Sequence, residues 1–391
     1  HHEARKEVTL NRFGSAVLPI RRGNVWVSHL YGSWANEARL VEEKLEPGQL
    51  VIQNRDGVRN SVRSHAEVMI SLDGKARENS GRVIGAALCY GGNYKLLFET
   101  DNSDFHRMIA GINEQNSEYH LRKGERFVTP FLALTYSKEG LGGASRSFHR
   151  WGRDYMLFHG DRERKVLLNS WEGVYFNINE EGMHNMMSDI ASMGGELFVM
   201  DDGWFGEKYP RVNDKAGLGD WMVDRRKLPD GVKGLVSAAA DRGIRFGIWI
   251  EPEMLNTTSE LYEKHPDWVI KAPGREPVTG RGGTQMVLDL CNPEVQDFAF
   301  KVIDDIMQEN PEIDYIKWDA NMSLLSYGSP YLPADRQSHI YIEYHRGLEN
   351  VCRRMREKYP DLTVQLCSSG GARANYGLLR YFDEFWVSDN T

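Results

Sequence analysis

The first 145 residues alternate hydrophobic and polar positions in short segments that Gly, Asn and Asp separate. Alternation with a period of two is typical of strands that bury one face. The clearest of these segments are Gln49–Gln53, Ala66–Ile70, Val83–Leu88 and Phe127–Leu134. They predict an N-terminal antiparallel β-sandwich over residues 1–145. Residues 146–165 then follow a glycine-rich stretch and are predicted to form a linker helix.

From about residue 165 apolar runs alternate with amphipathic segments. The apolar runs predict buried strands at Val166–Ser170, Glu196–Met200, Arg245–Ile250, Tyr315–Trp318, Thr363–Leu366 and Glu384–Val387. Helices are predicted at Glu180–Met193, Gly231–Arg242, Pro293–Glu309, His339–Lys358 and Ala372–Tyr381. This order indicates a parallel sheet, in a doubly wound fold or a (β/α)8 barrel.

Polar residues follow nearly every one of these strands. They are Glu172, Asp201, Asp202, Glu251, Glu253, Lys317, Asp319, Ser368, Ser369 and Asp389. Barrel enzymes assemble their sites at this end from many strands, whereas a doubly wound sheet uses one switch point. We therefore predict a catalytic α/β barrel of the TIM type over residues 166–391. About six of its eight units can be recognised, so we expect the barrel to be truncated.

Composition excludes several classes of function. A formal charge of -8 and a pI near 5.9 argue against nucleic acid as a partner. No run of about 18 apolar residues is present, so we predict no membrane span. The four cysteines form neither a C-x-x-C motif nor a Cys/His cluster, which argues against a zinc site or a disulfide framework. The chain begins His1-His2 without a signal peptide, and bacterial cytoplasm and periplasm both stay open.

Lys317 and Asp319 lie two residues apart at a strand end, so their side chains should point the same way. For an isolated pair a structural ion pair is the simplest interpretation. Carboxylates and tryptophans around one strand edge instead suit a carbohydrate, whose hydroxyls bind carboxylates and whose C–H faces stack on indoles. Asp201 and Asp202 could alternatively form a turn or a Mg²⁺ site, and Trp171 and Trp221 could be core residues.

A series of motifs in this chain resembles glycoside hydrolase family 36, whose best-known members are microbial α-galactosidases. The motifs are Asn169–Glu172, Phe198–Phe205, Gly219–Trp221, Trp249–Met254, Tyr315–Asn321 and Trp386–Thr391. They come in the family's order across residues 165–391. Tyr31–Trp34 and Ser61–Ser64 are similar to part of the family's N-terminal β-supersandwich domain.

The resemblance implies a retaining, two-step cleavage of terminal α-D-galactosyl residues, as in raffinose or melibiose. Asp319 would be the nucleophile and Asp389 the acid/base. Asp201 and Asp202 would bind the 4- and 6-hydroxyls of galactose, and Lys317 the hydroxyls near the nucleophile. The remaining substrate-binding residues that it implies are Trp171, Trp221, Arg281, Ser368 and Gly370. It implies no cofactor and no metal, and a tetrameric homo-oligomer.

One loop departs from the family pattern. Many members have Glu-Cys-Ser-Gly-Gly-Gly-Arg where this chain has Gln365–Arg373. Aligned on the glycines and arginine, Ser368 replaces a small sugar-contacting residue and Cys367 moves one place upstream. Asn375 stands where aspartate is common. These changes concern the 2-position of the sugar, so an α-N-acetylgalactosaminidase is the first competing hypothesis.

Three more functions are compatible with these residues. They are a raffinose- or stachyose-synthesising transglycosylase, a non-catalytic galactoside-binding fragment, and a metal-dependent barrel enzyme that uses Asp201, Asp202 and Glu251. Retention of both Asp319 and Asp389 argues against a purely binding role. We also expect these 391 residues to be a fragment that, expressed alone, has poor solubility and little activity.

Overall fold

The computed structural model describes residues 2–390, which divide into two compact units. The first unit contains residues up to Asp161 together with Ala334–His345 and Ser369 onwards. The second unit contains Arg162–Pro333 and Arg346–Ser368.

The strands of the N-terminal part are short and antiparallel. In chain order they are β1 (His2–Glu3), β2 (Val8–Leu10), β3 (Phe13–Ile20), β4 (Trp26–Ser33), β5 (Asn36–Lys44), β6 (Gly48–Asn54), β7 (Ser64–Ser71), β8 (Val83–Leu88), β9 (Tyr94–Thr100), β10 (His106–Ile112), β11 (Tyr119–Leu121), β12 (Arg126–Phe127) and β13 (Leu132–Ser137). Helix α1 (Gly140–Trp151) follows and ends in a π-helical turn at Gly152–Met156.

Two sheets of this unit share one hydrophobic core. One sheet has the strand order β3-β10-β9-β6 and the other β13-β8-β7-β4-β5. The pairs β1-β12 and β11-β2 form two further small sheets. Buried residues of both larger sheets, among them Val27, Ile52, Val68 and Phe98, belong to the same apolar cluster. Alternating burial along β7 and β9 is the period-two pattern predicted from the sequence.

The remaining elements alternate between strands and helices. They are β14 (Leu167–Asn169), α2 (Trp171–Val174), α3 (Glu180–Ser192), β15 (Leu197–Met200), α4 (Gly231–Asp241), β16 (Arg245–Ile250), β17 (Met254–Asn256), α5 (Glu260–Lys264), β18 (Gln285–Val287), α6 (Pro293–Glu309), β19 (Tyr315–Trp318), α7 (Ile340–Lys358), β20 (Thr363–Leu366), α8 (Tyr376–Leu379) and β21 (Glu384–Phe385). Short 3-10 helices lie at Pro266–Trp268 and Ala334–His339.

The second unit is organised by a parallel sheet. Strands β14, β15, β16, β19 and β20 pair in that order, and every pair is parallel. Strands β17 and β18 form a separate antiparallel pair. Nearly all residues of β15, β16 and β19 are buried, as expected for a parallel sheet with both faces covered. Helix α6 begins as predicted, with the Asn292 side chain accepting from the Glu294 N–H and Pro293 in the first turn.

Three sequence predictions of elements were wrong. The helix predicted at residues 146–165 starts earlier and ends earlier, because α1 spans Gly140–Trp151, its π-helical turn ends at Met156, and residues 157–165 are not helical. The segment Phe127–Leu134 is not one strand, because residues 128–131 separate β12 from β13. Pro130 lies in this break, and proline has no N–H to donate to a ladder. The helix predicted at Ala372–Tyr381 is confined to α8, where the Asn375 side chain accepts from the Leu378 N–H and starts the helix only there. Among the described residues, no helix is long and apolar enough to cross a membrane.

Candidate active site

The register of the parallel sheet aligns a row of chemically active side chains on one face. Val199 pairs with Gly247, Gly247 with Tyr315, and Tyr315 with Thr363. Side chains two residues apart along a strand lie on the same face. Two and four residues onward from this row are Asp201, Trp249, Lys317, Asp319 and Cys367. The predicted common direction of Lys317 and Asp319 follows from this register.

Lys317 is paired with Asp201. Its Nζ donates to Asp201 Oδ2 at 2.8 Å, and both side chains are almost fully buried. Asn169 Nδ2 donates to the same oxygen at 2.7 Å. Burial alone would lower the pKa of Lys317, but the negative groups around it, Asp201 foremost, together outweigh burial and raise that pKa above its usual value. The lysine is therefore a permanent cation in this site.

Asp319 is a buried carboxylate surrounded by donors. Trp249 Nε1 donates to Oδ2 at 3.1 Å and Asn321 Nδ2 donates to Oδ2 at 2.7 Å. Burial alone would raise the pKa of Asp319. The Lys317 charge and the hydrogen bonds from Asn321, Trp249 and the Cys367 thiol reverse this and hold the pKa below its usual value. The group is consequently ionised at neutral pH, as a nucleophile must be.

Asp202 is neutralised by a residue that the sequence did not single out. Arg211 donates from Nε to Oδ1 at 2.9 Å and from Nη2 to Oδ2 at 2.8 Å, a bidentate pair. The arginine is 1% exposed and its Nη1 also donates to Asn256 Oδ1 at 2.9 Å. Burial raises the pKa of Asp202 in spite of Arg211. The ion pair fixes the position of this carboxyl group.

Glu251 is a buried carboxyl group that accepts hydrogen bonds from neutral donors. Gln285 Nε2 donates to its Oε1 at 3.0 Å, and the Asn321 N–H donates to the same oxygen at 2.5 Å. Burial, reinforced by the negative charge of Asp319, raises the pKa of Glu251 to about 8. It is therefore a neutral acid at pH 7, next to an ionised Asp319.

The two predicted tryptophans, Trp171 and Trp221, are both half-buried. Trp171 opens α2 and packs edge-on against Tyr175 and Phe176. Trp221 contacts Trp249 at a ring-centroid distance of 6.1 Å, so it reaches the charged cluster through that ring. Trp221 also lines a groove of about 680 Å³, to which helix α6 contributes but none of the charged cluster.

Arg281 lies in the loop between β17 and β18 with a left-handed backbone, at φ 46°. Its Nη2 donates to Asp214 Oδ1 at 3.3 Å, and its side chain is about one-third exposed. Its charge acts on the carboxylates of Asp214, Glu251 and Asp319. Arg281 is thus an exposed cation near the rim of the carboxylate cluster.

The loop after β20 contains Cys367 and Ser368. Cys367, two residues beyond Gln365 on the inward-facing row, directs its thiol to Asp319. Ser368 is fully buried, and its hydroxyl donates to the Ala320 carbonyl at 2.5 Å. Strand alternation turns Ser368 away from the row. The next residue, Ser369, has a left-handed backbone at φ 46°.

The first unit contains Asp389 and Gly370. Asp389 Oδ1 accepts from Trp386 Nε1 at 3.1 Å and Oδ2 accepts from Trp34 Nε1 at 2.9 Å. Gly370 has a φ of 86°, and a Cβ at this position would lie 2.4 Å from Glu37 Oε1. The left-handed backbone favours glycine here, and a side chain at this position would require Glu37 to move.

The cations already present weaken the metal-site hypothesis. Lys317 and Arg211 neutralise Asp201 and Asp202, the two carboxylates that would bind a divalent ion. Over residues 2–390, no group of three or more His, Cys, Asp or Glu is arranged to hold a metal. The arrangement instead offers an ionised Asp319, a neutral Glu251 and several fixed hydrogen-bond partners. These are the groups that bind and activate a polyhydroxylated substrate.

Two family models match the chain. The model described as Melibiase matches residues 126–391, and the model of the glycosyl hydrolase family 36 N-terminal domain matches residues 1–122. Alpha-galactosidase AgaA of Geobacillus stearothermophilus is 38% identical over 94% of this chain and 49% of its own length. Alpha-galactosidase Mel36A of Lactobacillus acidophilus is 35% identical over 100% of this chain and 53% of its own. The chain spans about half the length of these curated relatives.

Solved structures give the same result. A crystal structure of an AgaA variant in complex with stachyose has a TM-score of 0.94 and 35% identity over 99% of this chain and 53% of that one. The alpha-galactosidase of Lactobacillus brevis has a TM-score of 0.94 and 33% identity over 99% and 51%. The fold described above is therefore shared, along nearly the whole chain, with solved alpha-galactosidases.

Proposed function

This chain belongs to glycoside hydrolase family 36, and from that premise we propose that the protein is an α-galactosidase that removes terminal α-D-galactosyl residues from sugars such as raffinose. The observation that carries the proposal is the state of Asp319. It is buried, held ionised by Lys317 and contacted by the Trp249 and Asn321 donors. A purely structural ion pair between Lys317 and an aspartate would not explain why further polar side chains surround the buried Asp319 carboxylate.

In the first proposed step, an Asp319 carboxylate oxygen attacks the anomeric carbon. The bond from that carbon to the leaving oxygen breaks, and the Asp389 carboxyl gives its proton to that oxygen. The product is a covalent glycosyl-enzyme ester. In the second step Asp389 takes a proton from water, the water oxygen bonds to the anomeric carbon, and the ester bond to Asp319 breaks. Two inversions give net retention.

Substrate recognition is proposed to rest on the cluster around Lys317. Asp201 and Asp202 accept hydrogen bonds from the 4- and 6-hydroxyls, with their positions fixed by Lys317 and Arg211. Lys317 donates to ring hydroxyls near the nucleophile, and Trp171, Trp221 and Arg281 lie nearer the rim. We include Cys367 with Ser368 and Gly370 among the residues next to the sugar's 2-position, because the Cys367 thiol faces Asp319.

The finer architecture is part of the same proposal. Residues 1–145 form a β-sandwich, helix α1 and its π-helical turn at Gly152–Met156 lead out of it, and 166–391 belong to a (β/α)8 barrel of which about six units fall in this chain. The full-length protein assembles as a tetramer, which sedimentation would test. The shared core of the two larger sheets and the five parallel strands support these assignments.

Asp319→Gly in the full-length protein, assayed with an activated aryl α-galactoside and azide, tests the function. Azide should restore turnover and give β-galactosyl azide. The small anion occupies the space of the missing carboxylate and attacks the anomeric carbon on the face opposite the leaving group. Asp383→Gly is the control, since that aspartate is bound to His159 and should show no azide rescue. Turnover by Asp319→Gly without azide would contradict the assignment.

A parallel assay with nitrophenyl α-galactoside and nitrophenyl α-N-acetylgalactosaminide separates the two sugars. Preferential hydrolysis of the galactoside is expected. Hydrolysis of the N-acetyl sugar alone would contradict the proposed substrate, and binding of either sugar without hydrolysis would leave only a binding function.

A further inference from the structure

A tryptophan at the tip of an N-terminal hairpin contacts the carboxylate of Asp389. Strands β4 and β5 pair antiparallel, with Ser33 opposite Asn36, so Trp34 and Ala35 form the turn. Ala35 has a φ of 54°, a left-handed conformation suited to such a tight turn. Trp34 is 61% exposed, yet its Nε1 donates to Asp389 Oδ2 at 2.9 Å. The contact joins residues that are 355 positions apart in the chain.

The same hairpin binds the residue next to Asp389. Glu37, at the start of β5, accepts from Ser388 Oγ at 2.7 Å through Oε2. Its other oxygen, Oε1, accepts from the Ala35 N–H at 3.2 Å. Gly370, whose missing side chain leaves room for Glu37, completes this contact. The hairpin tip is thus attached at two adjacent positions, which distinguishes it from a chance surface contact.

Each oxygen of Asp389 receives one indole N–H. Trp386 Nε1 donates to Oδ1 at 3.1 Å, while Trp34 donates to Oδ2. Two donors on opposite oxygens fix the rotation of the carboxyl group, and each oxygen keeps a second lone pair for a proton. An indole N–H also favours the charged carboxylate over the neutral acid. Orientation and proton affinity are the two properties that decide how well an acid/base works.

We propose that Trp34 is a positioning residue for proton transfer: the indole N–H of the N-terminal hairpin holds the Asp389 carboxyl in the orientation required for it to protonate the leaving group. The inference rests on the proposed role of Asp389 as acid/base. It assigns to the N-terminal domain a part in the chemical step, separate from any packing of the exposed indole ring against a substrate.

Trp34→Phe in the full-length protein tests this, because it removes the N–H and keeps an aromatic ring. With raffinose, whose leaving group must be protonated, kcat/KM should fall by about 10- to 100-fold. With 2,4-dinitrophenyl α-galactoside, whose leaving group departs as an anion, it should stay within about threefold. The basic limb of the pH profile should move up by about one unit, because the lost donor favoured the carboxylate.

Trp26→Phe is the matched control. Trp26 lies at the start of the same strand, and its Nε1 donates to Asn24 Oδ1 at 3.0 Å. It should change neither the activity on the two substrates nor the pH profile. In an Asp389→Ala background, Trp34→Phe should have no further effect on raffinose, since the group that it positions is gone.

The outcomes distinguish a failure of the positioning role of Trp34 from a failure of the acid/base role of Asp389. An unchanged raffinose rate in Trp34→Phe, or equal losses on both substrates, would overturn the positioning role while leaving the function intact. A loss confined to KM would also overturn it and indicate a ring contact with the sugar. Full raffinose activity in Asp389→Ala would instead overturn the acid/base assignment itself.

Discussion

Replacing the lysine at the centre of the site, as Lys317→Met, separates a functional cation from a surface ion pair. The side chains of Lys317 and Asp201 are 7% and 4% exposed, so removal of the ammonium leaves buried negative charge uncompensated. Breaking a buried pair in this way costs about 3–5 kcal/mol of folding free energy. The same change at Lys301, which pairs with Asp305 at side-chain exposures of 67% and 53%, should cost about 0–1 kcal/mol.

The pH dependence follows from the two pKa directions. The pKa of Lys317 is raised in the folded protein, so its contribution is complete below about pH 10 and is lost as pH rises further. The pKa of Asp319 is lowered, so its contribution is present above about pH 4 and is lost as pH falls through the folded value. The cost of Lys317→Met should therefore be largest between about pH 5 and pH 10.

Urea unfolding of the full-length protein, followed by tryptophan fluorescence at about pH 3 and about pH 7, measures this cost. Activity on nitrophenyl α-galactoside should fall as well, since Asp319 then loses the charge that keeps it ionised. Equal free energies of unfolding for Lys317→Met and Lys301→Met at neutral pH would refute the reasoning. So would a cost that is no smaller at about pH 3 than at about pH 7.

Four further changes have defined outcomes. Arg211→Lys should lower kcat/KM on galactosides at least about tenfold because Asp202 loses its bidentate partner, while Arg226→Lys, at a bidentate but exposed pair with Asp224, should not; similar losses would contradict this. Cys367→Val should lower kcat/KM severalfold by removing a donor to Asp319, and Cys352→Val, in the interior of α7, should have no effect. Glu251→Gln should gain stability relative to the wild type between pH 5 and pH 8, because the folded protein must otherwise keep this acid protonated; a constant difference by urea unfolding would contradict it. Dialysis against EDTA should leave hydrolysis unchanged, and a loss restored by Mg²⁺ would favour a metal-dependent reaction.

Strand positions could be predicted from the sequence because local patterns determine them. The bounds Arg245–Ile250, Tyr315–Trp318 and Thr363–Leu366 are confirmed without change, since each is a short apolar run bounded by polar residues. The alternation rule also predicted that Lys317 and Asp319 share a face. These predictions needed no knowledge of which elements meet in space.

Partners distant along the chain could not be predicted in this way. Arg211 lies in a loop without a distinctive pattern, and only the folded chain brings it to Asp202. Cys367 was not among the predicted site residues because the loop was aligned on its glycines. Strand alternation, applied two residues onward from Gln365, would have placed Cys367 on the inward face. Trp34 gave no chemical signal, since its partner Asp389 comes 355 residues later. The sequence also gave no indication that the residues from Ser369 onwards belong to the first unit.

The assignment of Asp319 as nucleophile is tested most directly by trapping the covalent intermediate. The full-length protein is incubated with 5-fluoro-α-D-galactosyl fluoride, in which a good leaving group speeds formation of the ester and the ring fluorine slows its hydrolysis. Peptide mass spectrometry should locate one fluorogalactosyl group on the peptide that contains Asp319. A label on any other residue, or turnover of galactosides with an inverted first product and no label, would contradict the account.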